Sequence, residues 1–180
     1  VYLDRYYRGL PGDLVLLDDF SGSRHAVTHL LELGHRRIGV ITGPLNLLNA
    51  KMRLQGYMRA LSSYGVPIED DLIREGRFDI ESGEKQAGTL LNETPPPTAL
   101  FVSNALMTIG ALRAIANSGL RCPDQISLVS YNDLDWFDLL QPSVTAVRQP
   151  VYDLGATAAE ILLKRLAGKL SGQFRRTVMK

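Results

Sequence analysis

The chain contains one cysteine, Cys122, in 180 residues, so no disulfide can form within it. A cross-linked framework is excluded, and a reducing compartment such as the cytoplasm is compatible with the composition. No apolar run approaches the roughly 20 residues that cross a bilayer, and no secretory leader is recognisable at the start. A basic excess is also missing, since the formal net charge is only +1. Free-standing nucleic-acid binders carry a basic stripe. Here the pairs Arg36–Arg37 and Arg175–Arg176 stand apart and read as solvated surface. Catalytic signatures with fixed local spacing are absent as well. There is no G-x-S-x-G nucleophile elbow, no G-x-x-x-x-G-K-[ST] phosphate loop and no G-x-G-x-x-G dinucleotide turn. His25 and His29 have the four-residue spacing that can hold zinc, but no HExxH glutamate lies between them and no third ligand is evident. A solvated helix face is the reading, and neither metal nor cofactor is called for.

What is present is the composition of an ordinary globular domain, long enough for a core without staples. The chain starts Val1-Tyr2-Leu3-Asp4, without an initiator methionine, and stops at Lys180. Both ends fall in strand-like stretches, which predicts a fragment of something longer. Short apolar runs alternate with helical patterns, the mark of βαβ units on a parallel sheet. Strands are predicted over 14–17, 38–42, 73–78, 98–103, 126–130 and 144–147. Helices are predicted over 23–33, 50–64, from an Asp79 cap to residue 91, over 106–117 and over 150–168. For the last helix, Gln149 reads as the N-cap with Pro150 at the first helical position. Leu154, Ala158, Ile161, Leu162 and Leu166 read as its inner stripe. The expected fold is α/β, a doubly wound parallel sheet.

In such sheets ligands bind beyond the carboxyl ends of the strands. The polar and aromatic residues predicted there are Asp4, Asn46 with Asn49, Phe78 with Asp79, Ser103 with Asn104, and Asn132 with Asp133. Phe78 and Trp136 fall in or beside these loops, where an aromatic either stacks on a sugar ring or fills the core. The amides of Asn104 and Asn132 can donate and accept at once, as vicinal hydroxyls require, or serve as a helix cap and an Asx-turn. Arg53 reads as lying near the first turn of its helix, where a cation opposes the dipole at roughly 0.3–1 kcal/mol. Its reason there is a buried carboxylate or a ligand, the plain alternative being an exposed arginine. Arg53 is accordingly expected to matter for a ligand and little for folding.

Five segments in series then carry a family resemblance: HLLELGHRRIGVITGP, RLQGYMRAL from Arg53, PPTALFVSNALMTIGALRAI from Pro96, CPDQISLVSYND from Cys122, and PSVTAVRQP from Pro142. In order and spacing, over nearly the whole chain, they resemble the lactose-repressor/galactose-repressor family of bacterial transcription regulators. That resemblance implies an effector-binding core like periplasmic sugar-binding proteins, with a helix-turn-helix headpiece outside this chain. It implies a remnant of the N-terminal lobe over 1–17, a C-terminal lobe over 18–148, a helix returning to the first lobe over 149–168, and a truncated strand region over 169–180. Carried over by position, the effector residues would be Asp4, Asn49, Arg53, Phe78, Asn104, Asn132 and Gln149, with Trp136 beside them. The effector would be a sugar, sugar acid or phosphosugar. The family usually has Asn-Asp where Asn104-Ala105 stands and often Asp-Asp where Asn132-Asp133 stands, so the pocket has lost negative charge relative to that pattern. The protein would be a cytoplasmic homodimer and not an enzyme. It would touch operator DNA only through the headpiece and would have no membrane partner. The rival is a periplasmic sugar-binding protein serving a transporter. With so little net charge, these 180 residues alone are expected not to bind operator DNA. A sequence-specific, salt-sensitive gel shift given by them would contradict this.

Overall fold

The structure, a computed structural model, describes residues 1–6, 9 and 11–180. The chain divides into two compact units. The larger is continuous, Phe20–Arg148. The smaller is assembled from both ends of the chain, Val1–Asp19 with Gln149–Lys180.

The larger unit holds a five-stranded parallel sheet. Its strands are β3 (Ile38–Thr42), β4 (Ile73–Glu75), β5 (Ala99–Val102), β6 (Ser127–Tyr131) and β7 (Thr145–Val147), in the order β4-β3-β5-β6-β7. Strand alternation divides the core into two layers. Ile38 and Val40, Ala99 and Phe101, and Val129 and Tyr131 meet Val27, Leu30 and Leu31 of α1 (Asp19–Glu32) and Tyr57, Ala60 and Leu61 of α2 (Leu48–Ser63). On the other face, Ile41, Leu100, Val102 and Leu128 meet α3 (Ile80–Leu91) and α4 (Ala105–Asn117). The last two helices cross with their backbones nearly touching. A Cβ on Gly83 would lie 2.4 Å from the Met107 carbonyl oxygen, and one on Gly110 2.1 Å from that of Ile80. At the amino edge, His35, just ahead of β3, shares hydrogen bonds through its two ring nitrogens with Thr98 Oγ1 before β5 (2.9 Å) and Ser127 Oγ of β6 (3.0 Å). Burial lowers its pKa.

The predicted 73–78 strand ends early, at Glu75. Gly76 donates its N–H to the Thr42 carbonyl, and Phe78 turns to a φ of 63°, which breaks the extended run. Helix α2 begins at Leu48 rather than 50, a shift that bears on Arg53 below.

The smaller unit holds a three-stranded parallel sheet, β1 (Tyr2–Leu3), β2 (Leu14–Leu17) and β8 (Arg176–Met179), with β2 in the middle. Helix α5 (Val151–Leu166) packs Leu154 and Ile161 against Val15 and Leu17. Two expectations fail here. Pro150 itself takes the N-cap place of α5, with no side-chain bond, because the Gln149 carbonyl accepts the Val151 N–H. Leu162 and Leu166 are exposed, at 46% and 76%, and so are not part of the inner stripe. The helix carries a second apolar arc, with Val151, Tyr152 and Leu163, that reading a single stripe merges with the first. No helix among the described residues is long and apolar enough to cross a membrane.

Asp13 fastens the smaller unit. Its carboxylate accepts two bonds from Arg165, at 2.8 and 2.9 Å, and one from the Arg175 N–H at 2.8 Å. The Arg165 bonds lead in holding its pKa down from 3.8 to about 2, against the opposing effect of burial. A carboxylate with a depressed folded pKa stabilises above its unfolded value and ceases to do so as pH falls through the folded one. Stability of this unit is therefore expected to fall between about pH 4 and about pH 2. Asp13→Asn is expected to be less stable at neutral pH and to show a flatter profile across that window. Urea midpoints at several pH values, read on the β2 and β8 amides by hydrogen exchange, check both.

Candidate functional site at the strand ends

The strand order of the larger unit creates a topological switch point. After β3 the chain moves outward to β4, then returns to the other side of β3 as β5. Ligands of open α/β sheets sit outside the carboxyl ends at such a point. Here those ends are Thr42–Gly43 of β3 and Ser103–Asn104 after β5.

Arg53 projects from α2 into this place. It is 4% exposed, donates to the Ser103 carbonyl at 2.7 Å, and lays its guanidinium 4.0 Å from the centroid of the Tyr131 ring. Because α2 starts at Leu48, Arg53 stands in the second turn, so opposition to the helix dipole is a smaller effect than its sequence position suggested. Among the contacts that hold it are a carbonyl and an aromatic face. Ser103 is itself fully buried, and its Oγ has no hydrogen-bond partner among the described residues.

Asn104 is the N-cap of α4. Its Oδ1 accepts the Met107 N–H at 3.1 Å, so the other half of the amide, Nδ2, takes no part in the cap. Both readings of this residue are therefore open at once. One residue beyond β6, Asn132 has a φ of 83°, in the left-handed region. Two buried hydroxyls tie these loops together. Thr108 Oγ1 lies 2.9 Å from the Asn104 carbonyl and 2.9 Å from Ser130 Oγ, and Ser130 Oγ donates to the Asn132 carbonyl at 2.8 Å. Sequence reasoning missed Thr108 and Ser130. The available signal was a hydroxyl at the fourth position after a capping Asn, on an otherwise apolar helix face.

Phe78 also has a left-handed backbone, at φ 63°. Its ring is half-buried against the layer containing Ile41, Val102 and Met107. Asn49 lies in the first turn of α2, with its Oδ1 2.8 Å from the Ala50 N–H. Trp136, 39% exposed, stands edge-on to the buried Phe137, with ring centroids 5.0 Å apart. Asp133 beside Asn132 is paired with Arg148. Among the predicted residues, then, Asn49, Arg53, Phe78, Asn104 and Asn132 all stand at carboxyl ends of one sheet, with Trp136 on the loop after β6. Asp4 and Gln149 belong to the smaller unit. There Asp4 follows β1 with a φ of 59°, donates its N–H to the Val15 carbonyl, and holds an Oδ1 that is buried without a partner among the described residues. No group of three His, Cys, Asp or Glu side chains placed to hold a metal occurs among the described residues.

A cation, an aromatic ring and amides stand together at the open ends of a parallel sheet, the place where ligands of this architecture bind. The family described as periplasmic binding protein-like domain matches residues 27–179, and the chain belongs to it. Its relatives are lactose-repressor-type regulators. The chain is 37% identical over 147 residues to the HTH-type transcriptional regulator DegA of Bacillus subtilis (strain 168), covering 82% of this chain and 43% of DegA. It is 35% identical over 158 residues to the HTH-type transcriptional repressor CytR of Escherichia coli (strain K12), covering 88% and 46%. The fold matches a transcriptional regulator CelR–cellobiose complex with a TM-score of 0.89 and 34% identity, over 96% of this chain and 53% of that one. It matches a LacI family transcriptional regulator from Mycobacterium smegmatis with a TM-score of 0.91 and 32% identity, over 99% and 65%. The chain thus spans a little under half the length of these curated relatives.

The burial of Arg53 corrects the expectation that it matters little for folding. Arg53→Ala removes a charge-assisted hydrogen bond and a desolvated cation–π contact, and is expected to destabilise the larger unit by about 2–4 kcal/mol. Chemical unfolding without ligand measures this, and an unchanged midpoint would return Arg53 to a purely ligand-facing role.

Proposed function

We propose that the chain is the effector-sensing core of a sugar-responsive bacterial transcription regulator. The single observation that carries this reading is the set of residues at the strand ends of the larger unit. Arg53, Phe78, Asn104 and Asn132 come from four different connections and converge on one end of one sheet. The repressor names of the relatives and the cellobiose bound by CelR support it. In this reading the Phe78 ring stacks on the apolar face of a sugar. The Nδ2 group of Asn104 and the amide of Asn132 bond its hydroxyls, Asn49 and Arg53 hold further polar groups, and Trp136 borders the site. Effector occupancy biases a two-state equilibrium that changes how the protein presents itself to operator DNA.

The rest of the assignment follows from that role. The protein works in the cytoplasm as a homodimer, without cofactor. Operator DNA is contacted through a headpiece outside these 180 residues. It is a binding protein and not an enzyme, since Arg53, Phe78 and the two amides form no nucleophile–base pair. The domain boundaries expected from the resemblance, with a lobe over 18–148, belong to the same reading.

The effector is a neutral sugar, a sugar acid or a phosphosugar, and a thermal-shift panel of the three classes on the full-length protein tests the reading. One class is expected to raise the unfolding midpoint. The absence of any shift across the panel would sink the sugar assignment. Asn104 separates fold from binding. Asn104→Asp retains a capping oxygen and is expected to keep stability within a few tenths of a kcal/mol, whereas Asn104→Ala loses about 1 kcal/mol with the cap. Both remove the Nδ2 donor and are expected to weaken the stabilising ligand by tenfold or more. Full affinity in Asn104→Asp would take Asn104 out of the site.

A further inference from the structure

We propose that Gly43 is a positioning residue for the effector site: its bare backbone sets where the Phe78 ring stands. The proposal rests on the reading of Phe78 as the aromatic wall of the effector site and adds the residue that places that wall.

Gly43 is buried and directly follows β3 at the switch point. A Cβ there would lie 2.0, 2.1 and 2.7 Å from Cζ, Cε1 and Cε2 of Phe78, the far end of the ring. These are the three nearest atoms it would meet. The φ of Gly43 lies outside the left-handed region, so its backbone conformation is open to an L side chain. What forbids a side chain at this position is the ring.

The ring can yield only by turning about its own side-chain bonds, away from the layer it packs on, because the backbone that carries it is held. The φ of Phe78 is 63°, an uncommon conformation for a bulky residue. The residues around it are tied in place. The Arg77 N–H donates to Ser82 Oγ at 2.9 Å, the Ser82 N–H donates to Asp79 Oδ1 at 2.7 Å, and the Gly76 N–H donates to the Thr42 carbonyl at 2.7 Å. The last bond joins the Phe78 loop to the residue before Gly43. The Phe78 backbone and the glycine therefore belong to one fastened corner, and strain of this kind persists only where its surroundings over-determine it. A methyl group at position 43 must displace the ring, and with it the wall of the site.

The test uses four forms of the full-length protein: wild type, Gly43→Ala, Phe78→Ala and the double variant. Thermal unfolding without ligand comes first. Gly43→Ala is expected to lower the midpoint clearly when Phe78 is present and by little when position 78 is alanine, the non-additivity of residues in contact. Equal losses in both backgrounds overturn the proposal. Calorimetric titration with cellobiose, D-ribose and D-gluconate follows. Any of these that binds wild type is expected to bind Gly43→Ala at least tenfold more weakly, and to bind Phe78→Ala and the double variant alike. Undiminished affinity in Gly43→Ala overturns the proposal even if the melting cycle is coupled. If none of the three binds wild type, the sugar reading fails for these probes, and the melting cycle alone upholds or overturns the hold of Gly43 on Phe78.

Discussion

A buried guanidinium must be given partners in place of water, because an uncompensated charge in the interior is far more costly than any single contact is favourable. Arg53 meets part of that demand with the Ser103 carbonyl and the Tyr131 ring. These two lie at the tips of neighbouring strands, β5 and β6, so one side chain of α2 spans both. Helix α2 cannot slide along the sheet without stripping its arginine. Asn104 and Asn132 each follow an Arg53 partner by one residue. The placement of the two amides therefore depends on the same contact, and the Thr108–Ser130 hydroxyl pair reinforces it from the opposite face.

The positive-φ residues other than glycine are Asp4, Phe78 and Asn132 among those described, each just beyond a strand. A non-glycine residue held there costs on the order of 1–3 kcal/mol and needs surrounding bonds to keep it. The Val15 carbonyl, the Ser82 side chain and Ser130 Oγ supply bonds at or beside the three positions. Backbone that is strained and yet fastened is preorganised: the side chains are aimed before anything arrives, and less ordering remains to be done on binding.

The parallel α/β architecture was legible because β3, β5 and β6 are short apolar runs closed by turn residues, and periodicity reports burial directly. The residues at the carboxyl ends followed from topology, once the strands were placed. What periodicity does not encode is a second apolar arc on one helix, and so Leu162 and Leu166 were assigned to a stripe that Leu154, Ala158 and Ile161 occupy. Nor does it mark a strand's last residue when an aromatic continues the apolar run, as Phe78 does after Glu75. Arg53 read as a ligand group because a lone cation carries no local sign of the ring and carbonyl that bury it; both come from strands more than 45 residues away in sequence. Thr108, Ser130 and the bridging His35 were silent for the same reason. The Thr108–Ser130 pair and both His35 partners are distant in the chain, and a single sequence holds no record of such pairs.

The discontinuity of the smaller unit has a consequence for biogenesis. Residues of the larger unit are contiguous, so its sheet and all four of its helices can close as soon as Arg148 is clear of the ribosome. Strand β2 by then has been made, with one flank open, because its neighbour β8 lies beyond Arg148 in the chain. Asp13 likewise waits for Arg165 and Arg175. Domains form as units, in the order of synthesis, and pairings between distant residues are slow. The larger unit is thus expected to close while β2 is still an unpaired apolar edge, the interval in which a chaperone would find something to hold.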